Sequence, residues 1–270
     1  MGRIHGIDPV GDGRSGDLID LPSPTHVEHV MGTAVLFDIR DPSFPQNALD
    51  EAVSLLHRIE DTFSIFIRDS EISRIARGDL PIDDATATVR DVLAACESLR
   101  SDTAAAFDHR PDGGLDPSGY VKGWAVEAAA GILTEAGVDT FLVSAGGDIV
   151  ARGAPSGADA WNVGIRDPLD RDATLGTVAL RNHAIATSGR YERGAHIWGM
   201  DDRDGELASV SIVGPDLGIA DALATAVFAA GLESIAWLSN FPEYHLIAVT
   251  SGRRILRSPK APFSAFEPTT

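Results

Sequence analysis

Residues 115–153 (LDPSGYVKGWAVEAAAGILTEAGVDTFLVSAGGDIVARG) predict a loop, a helix, a short strand and a glycine-rich turn in direct succession. Apolar side chains recur after the loop at the spacing of one helical face, and Gly137 stands where a glycine would end that helix. The apolar run 141–143 then forms a strand, and Gly146-Gly147-Asp148 turns the chain after it. This order predicts that a helix packs on a sheet in this part of the fold.

The beginning of this helix is a candidate anion site. We expect Asp116-Pro117-Ser118-Gly119 to form the loop and Lys122-Gly123 to open the helix. The free N–H groups and the positive dipole end of a helix N-terminus favour anions such as phosphate, and Lys122 would add a mobile positive charge. The alternative is a plain connection whose glycines only shape turns, and these residues alone leave both interpretations open.

The charge and the cysteine content exclude several classes of function. The net charge is −18 and only two of the 22 basic residues are lysines, which argues against non-specific binding to nucleic acid or to anionic membranes. A single cysteine, Cys96, excludes an intrachain disulfide and a cysteine-built metal site. The sequence has neither an apolar run of membrane-spanning length nor an apolar signal-peptide core at the N-terminus, so we expect a cytoplasmic protein without membrane insertion.

The periodicities of the whole chain predict a mixed α+β fold. We expect a flexible lead over residues 1–25, which are rich in Gly, Asp and Pro, and one domain over 26–270. Strands alternate with helices in the middle of the chain and hairpins follow toward the end, which favours mixed sheets flanked by helices over a doubly wound fold. The predicted helices cover 45–63, 85–100 and 218–238; the predicted strands cover 30–39, 161–168, 174–182, 184–189 and 208–215, with a hairpin over 245–258.

Asp221 and Thr225 form a second candidate site. They are four residues apart in an otherwise apolar helical segment and therefore share one face. A carboxylate in such a segment is costly unless it is paired or bound to metal, and a carboxylate with a hydroxyl suits Mg²⁺. The alternative is that Asp221 caps the helix while Thr225 bonds a main-chain carbonyl.

Other motifs are weaker or absent. The segment AIATSG (184–189) ends in hydroxyls and a glycine that could bind phosphate or ribose, or could be a plain turn. The eight histidines include no HExxH or HxH pair, which disfavours a histidine-built zinc site. The sequence also lacks the GxSxG, Walker and GxGxxG motifs of serine hydrolases, P-loop NTPases and Rossmann dehydrogenases.

Taken in order, these segments resemble the ApbE family, the FAD:protein FMN transferases, over roughly residues 30–250. The resemblance implies a single ApbE-like domain that binds Mg²⁺ and uses FAD as a substrate. Such proteins transfer FMN from FAD to a threonine hydroxyl of a partner flavoprotein and release AMP. The resemblance is carried by Met31-Gly32-Thr33, FSIFIRDSEISRI (63–75), Phe107-Asp108, LDPSGYVKGWAVE (115–127), LVSAGGDIVARG (142–153), WNVGIRDP (161–168), AIATSG with Tyr191, and ADALATA (220–226).

The resemblance also implies roles for individual residues. The Mg²⁺ ligands would be Asp221, Thr225 and the main-chain carbonyl of Val121, and Lys122 would lie beside the FAD pyrophosphate as a catalytic residue. Phe66 stands where the family often has tyrosine and would pack on a ring of FAD. The remaining residues expected to bind FAD are Met31, Asp116, Ser118, Gly119, Thr187, Ser188 and Gly189.

The loop 195–205 departs from the family pattern. The histidine that serves as the family's candidate base would fall at Trp198, and His196, two residues earlier, is the candidate base here. Three functions therefore stay open at this point: an FMN transferase acting on a partner protein, an FAD pyrophosphatase that gives FMN and AMP, and a non-catalytic FAD-binding protein. The altered loop favours the last of these.

Overall fold

The computed structural model describes residues 25–189 and 206–265. The strands are β1 (Thr25–Val30), β2 (Thr33–Ile39), β3 (Phe141–Ala145), β4 (Asp148–Arg152), β5 (Trp161–Asp167), β6 (Asp170–Leu180), β7 (His183–Gly189), β8 (Leu207–Gly214), β9 (His245–Thr250), β10 (Ile255–Arg257) and β11 (Phe263–Ala265). The α-helices are α1 (Gln46–Phe63), α2 (Glu71–Ala76), α3 (Ala87–Asp102), α4 (Ser118–Glu135) and α5 (Leu217–Ala230). Short 3₁₀ helices cover Ile82–Asp84, Pro111–Gly113 and Leu232–Asn240.

The strands form two sheets. The larger has eight strands in the order β1-β2-β3-β4-β7-β8-β9-β10, and the smaller has three in the order β11-β6-β5. Each strand pair in the described residues is antiparallel. The predicted α+β class is confirmed. The large sheet places the beginning of β4 beside the end of β7, so that Asp148 and Thr187 meet.

Two apolar cores hold the layers together. Alternate residues of a strand point to opposite faces of its sheet, so the large sheet can bury both faces. One face packs on the helices through side chains such as Phe37, Leu133 and Leu223, and the other packs on the small sheet through Leu142 and Trp161. The fold is therefore a helical layer, a large sheet and a small sheet. No helix in the described ranges is long and apolar enough to cross a membrane.

Several predicted elements differ from the observed ones at glycines and turns. The strand predicted over 30–39 is split by a two-residue turn, in which Met31 and Gly32 have φ of 54° and 71°. The helix predicted over 218–238 ends at Ala230, because Gly231 takes φ of 81° and a 3₁₀ helix follows. Ser70 is the N-cap of α2, where its side chain accepts a hydrogen bond from the Ser73 N–H.

Candidate active site

Helix α4 begins earlier than the sequence predicted. Ser118 and Gly119 lie within its first turn, Pro117 precedes it, and Asp116 Oδ1 accepts a hydrogen bond from the Ser118 N–H at 3.0 Å. This bond and the fixed φ of proline start the helix at Ser118 rather than at Lys122. Gly119 lies close to Phe107, since a Cβ there would be 3.3 Å from its ring. Lys122 therefore lies one turn inside α4 and faces a neighbouring strand and helix.

The Lys122 ammonium pairs with two carboxylates. It forms a hydrogen-bonded ion pair with Asp148 Oδ2, and its Nζ lies 3.0 Å from Asp221 Oδ2. Both aspartates are buried, at 2% and 5% exposure, whereas the Lys122 side chain is 35% exposed. One positive and two negative charges therefore meet at the junction of α4, β4 and α5. With all three groups ionised, this junction carries a net charge of −1.

Asp221 is the residue of this junction with unused acceptor capacity. Its Oδ2 is buried and accepts no hydrogen bond of good geometry from the described residues 25–189 and 206–265, despite the nearby Lys122. Burial raises the pKa of Asp221 above its ordinary value, and the positive charge of Lys122 opposes that rise. One turn further along α5, Thr225 Oγ1 lies 3.3 Å from the Ser188 hydroxyl of β7. Asp221, Thr225 and Ser188 thus offer hard oxygen atoms at a junction with a net negative charge.

The side chains of Thr187 and Ser188 in strand β7 point to opposite faces of the large sheet. The Thr187 N–H donates to Asp148 Oδ1 at 2.9 Å, while the Thr187 hydroxyl bonds Ser211 of β8 at 2.8 Å. The Ser188 side chain instead reaches Thr225, because successive strand residues alternate between faces. Thr187 therefore joins the site through its main chain. Lys122, Asp148, Asp221, Thr225 and Ser188 are called the Lys122 cluster below.

Helix α5 is held in place by α4. Glu127 on α4 is ion-paired with Arg152 of β4, and its other oxygen accepts a hydrogen bond from the Leu217 N–H at the beginning of α5. Burial raises the pKa of Glu127, and Arg152 opposes that rise. Gly123 lets the two helices approach closely, because a Cβ there would lie 2.5 Å from the Leu217 carbonyl oxygen. These contacts set the position of Asp221 relative to Lys122.

The other predicted residues lie outside the Lys122 cluster or beyond the described residues. Met31 is in the β1–β2 turn and donates its N–H to Glu60 Oε1 at 2.9 Å. Phe66 is 93% exposed in the turn before α2. Val121 is buried next to Lys122 in α4, and Gly189 ends β7. The candidate base His196, together with Tyr191 and Trp198, falls outside the described residues.

The donor atoms of the Lys122 cluster fit Mg²⁺ better than zinc. Across residues 25–189 and 206–265, no group of three or more His, Cys, Asp or Glu side chains is arranged to hold a metal. Mg²⁺ commonly takes one or two carboxylates, with waters and phosphate oxygens completing the octahedron. The buried Asp221 oxygen that accepts no hydrogen bond and the adjacent Thr225 hydroxyl match that partial set. The Val121 carbonyl stays a predicted third ligand.

Asp148 is a member of the cluster that the sequence interpretation treated only as part of a turn. It follows Gly146 and Gly147, whose φ values of 61° and 100° bring the chain back sharply from β3. The available signal was a carboxylate at the head of the apolar strand segment Ile149-Val150-Ala151. Such a carboxylate requires a partner when buried, but its spacing in the sequence does not identify Lys122 as that partner.

The fold and the Lys122 cluster define a class of protein: a two-sheet α+β domain with a buried lysine–carboxylate site of hard oxygen donors. The ApbE family profile matches residues 109–248, a range that includes every member of the cluster. The chain belongs to the ApbE family.

Two curated relatives carry the name FAD:protein FMN transferase. The protein from Treponema pallidum is 34% identical over 172 residues, covering 53% of this chain and 46% of the relative. The protein from Vibrio cholerae is 26% identical over 194 residues, covering 66% of this chain and 58% of the relative. The matched part thus spans about half of each relative's length.

Two solved structures share the fold. The flavin transferase ApbE from Vibrio cholerae superimposes with a TM-score of 0.73 at 19% identity, covering 87% of this chain and 96% of that chain. The ApbE protein from Thermotoga maritima gives a TM-score of 0.75 at 22% identity, covering 88% and 97%. At these identities the likeness establishes the architecture alone.

Proposed function

We propose that this protein is an Mg²⁺-dependent FAD:protein FMN transferase that moves FMN from FAD to a threonine hydroxyl of a partner flavoprotein. The observation that carries the proposal is the buried Asp221 Oδ2, which accepts no hydrogen bond of good geometry from residues 25–189 and 206–265 and lies near Lys122. The names of the relatives support the transfer of FMN from FAD to a protein. A cytoplasmic location stays a prediction from the sequence.

The proposed reaction replaces the phosphoanhydride bond of FAD with a phosphoester bond to the acceptor threonine. The acceptor threonine oxygen bonds to the phosphorus on the FMN side, the pyrophosphate P–O bond breaks, and AMP leaves with the bridging oxygen. The threonine proton passes to a base, for which His196 is the candidate. Positioning and electrostatic stabilisation dominate such phosphoryl transfers. The Lys122 side chain is 35% exposed, which would allow its ammonium to contact a pyrophosphate oxygen.

The metal would be held by Asp221 and Thr225, with Val121 contributing its main-chain carbonyl. When bound, Mg²⁺ would neutralise charge on the pyrophosphate oxygens. The protein residues would supply the other contacts. Lys122 would add a second positive charge, and the segment Thr187–Gly189 would provide hydroxyl and main-chain groups that bind phosphate or ribose. Met31, Phe66, Asp116, Ser118 and Gly119 are proposed to contact FAD from the surrounding turns.

The altered loop at 195–205 supports a second candidate, an FAD-binding protein without transfer activity, because Trp198 stands where the family's histidine is expected. One assay separates the functions. Purified protein is incubated with FAD and Mg²⁺, with and without a threonine-bearing flavoprotein acceptor, and AMP and protein-bound FMN are measured. AMP that depends on the acceptor supports transfer. AMP without acceptor indicates a pyrophosphatase, and bound FAD without AMP indicates the binding protein.

Replacing the proposed metal ligand tests the site directly. Asp221→Asn keeps the shape of the side chain but removes its charge, so Mg²⁺-dependent FAD binding should fall at least tenfold and AMP release should cease. Asp167→Asn is the matched control, because Asp167 is equally buried and paired with Arg253 but lies in the small sheet. Normal AMP release by Asp221→Asn would remove Asp221 from the metal site.

A further inference from the structure

Asp148 connects two parts of the Lys122 cluster through both of its carboxylate oxygens. Oδ2 is paired with the Lys122 ammonium of α4, and Oδ1 accepts the Thr187 N–H of β7 at 2.9 Å. The side chain is almost fully buried, and its main chain follows a two-glycine turn with positive φ. With both oxygens engaged and the backbone fixed, Asp148 has a single orientation in the site.

Lys122 has two carboxylates within reach, and they differ in their other contacts. Asp148 is satisfied by Lys122 together with Thr187. In the part of the chain that the structure describes, Asp221 Oδ2 accepts no well-directed hydrogen bond, although Lys122 Nζ lies 3.0 Å away. An ammonium that moved fully onto Asp221 would neutralise the carboxylate that a divalent cation needs. Lys122 is thus both an aid to anion binding and a potential competitor for the metal.

We propose that Asp148 is a positioning residue that neutralises the Lys122 ammonium, which lies 3.0 Å from Asp221 Oδ2, and so leaves the charge of Asp221 available to a divalent cation. This inference rests on the metal site of the proposed function. With Asp148 present, Lys122 is neutralised by a carboxylate that is not a metal ligand, and the net charge of −1 remains for the cation. Without the Asp148 charge, Lys122 and Asp221 neutralise each other and the attraction for Mg²⁺ is lost.

The test measures Mg²⁺ binding by titration calorimetry in the absence of FAD, so that it does not depend on turnover. Asp148→Asn keeps an oxygen that can accept the Thr187 N–H but removes the charge. We expect the Mg²⁺ dissociation constant to rise roughly 10- to 100-fold, the usual cost of losing a residue that orients a metal site. Asp167→Asn, which removes a carboxylate with the same burial and a comparable ion pair, should leave the constant unchanged.

A second background separates positioning from a direct effect of Asp148 on the metal. The Lys122→Met protein has no ammonium for Asp148 to neutralise. Adding Asp148→Asn to it should therefore change the Mg²⁺ dissociation constant by less than about twofold. If the two residues acted independently, Asp148→Asn would instead cause the same loss of affinity in both backgrounds. An equal loss in both backgrounds would overturn the proposal, because it would show that Asp148 acts on the cation by its own charge or as a ligand.

A third comparison applies even if Asp148→Asn does not fold. Lys122→Met alone should bind Mg²⁺ at least as tightly as the original protein, because it removes the competing cation. A tenfold weaker affinity of this variant would contradict the proposal. Failure of the original protein to bind Mg²⁺ at all would instead contradict the proposed function, so the two failures are distinguishable.

Discussion

His109 is buried at 1% exposure, and neither of its ring nitrogens makes a hydrogen bond to any residue that the structure describes. It precedes α4, and its main-chain carbonyl accepts the Asp116 N–H at 2.8 Å, which ties it to the loop before Lys122. Burial is the main cause that lowers the pKa of His109, since the charged imidazolium would lose its hydration. The charged groups around it are Arg110 and Arg100, which also lower the pKa, and Glu97 and Asp108, which raise it.

The lowered pKa of His109 predicts a loss of stability in acid. Well above pH 6.5, the ordinary pKa of histidine, the imidazole is neutral in both the folded and the unfolded chain. Below that value the unfolded chain binds a proton that the folded protein does not, so stability falls until the lower, folded-state pKa is reached. The slope is at most about 1.4 kcal/mol per pH unit for one proton.

Thermal unfolding between pH 7.5 and 5 would measure this effect. His109→Leu cannot titrate and should lose less stability across that range than the original protein does. His183→Leu, which replaces an exposed histidine, should behave as the original protein. Identical pH dependence for His109→Leu and the original protein would show that His109 is protonated equally in both states.

At the scale of single residues, the sequence identified most of the Lys122 cluster but not how its members are paired. Lys122, Asp221, Thr225 and Ser188 were recognised from residue type and local spacing, which are written in the chain. The partnership between Lys122 and Asp148 spans 26 residues and depends on how α4 lies across β4, which no local pattern encodes. The candidate base His196 stays a prediction, because it lies outside the described residues.

The contact between α4 and α5 controls the site at the scale of elements. Gly123 faces α5 so closely that an added Cβ would be 2.5 Å from the Leu217 carbonyl oxygen and 3.0 Å from Asp221 Cβ. A main-chain carbonyl cannot move aside as a flexible side chain can, so a larger residue must separate the helices. Any separation would also move Asp221 relative to Lys122.

Gly123→Ala should therefore destabilise the protein by roughly 1–3 kcal/mol, the usual cost of overpacking, and weaken Mg²⁺ binding. Gly131→Ala on the same helix is the control, because a Cβ there meets no atom of residues 25–189 or 206–265 within 4 Å. It should be neutral or stabilise by up to about 1 kcal/mol, since alanine favours a helix over glycine. Chemical denaturation and Mg²⁺ titration of both variants check the prediction. Equal stabilities of Gly123→Ala and Gly131→Ala would contradict it.

The sequence predicts the boundary of a helix or strand correctly where a local pattern sets it. The prediction fails where the backbone angle of a single residue ends the element. The helical spacing of α4 and the apolar run of β3 gave both elements, and Gly137, with φ of 82°, follows α4 as expected. Apolar residues continue at helical spacing from 218 past Gly231, so their spacing does not indicate that α5 ends there. The three-residue strand β11 was missed, because its pairing with β6 is a tertiary contact of a short segment.

At the scale of the whole molecule, the chain carries a large excess of negative charge. The sequence has 40 acidic and 22 basic residues. Mutual repulsion of such an excess destabilises the compact state, because folding brings the charges closer together. The buried ion pairs of the Lys122 cluster are screened little by salt, whereas surface charges are screened strongly, so added salt acts mainly on the repulsion.

Moderate salt should therefore stabilise this protein at neutral pH. Raising NaCl from about 10 to 150 mM shortens the Debye length from about 30 to 8 Å, which screens most of the repulsion between surface carboxylates. We expect the melting temperature at pH 7 to rise by a few degrees. The same titration near pH 4.6, the isoelectric point, is the internal control, because with no net charge the salt effect should vanish or reverse. A melting temperature that falls with salt at pH 7 would mean that attractive surface ion pairs outweigh the net repulsion, and that the charge excess is not what limits stability.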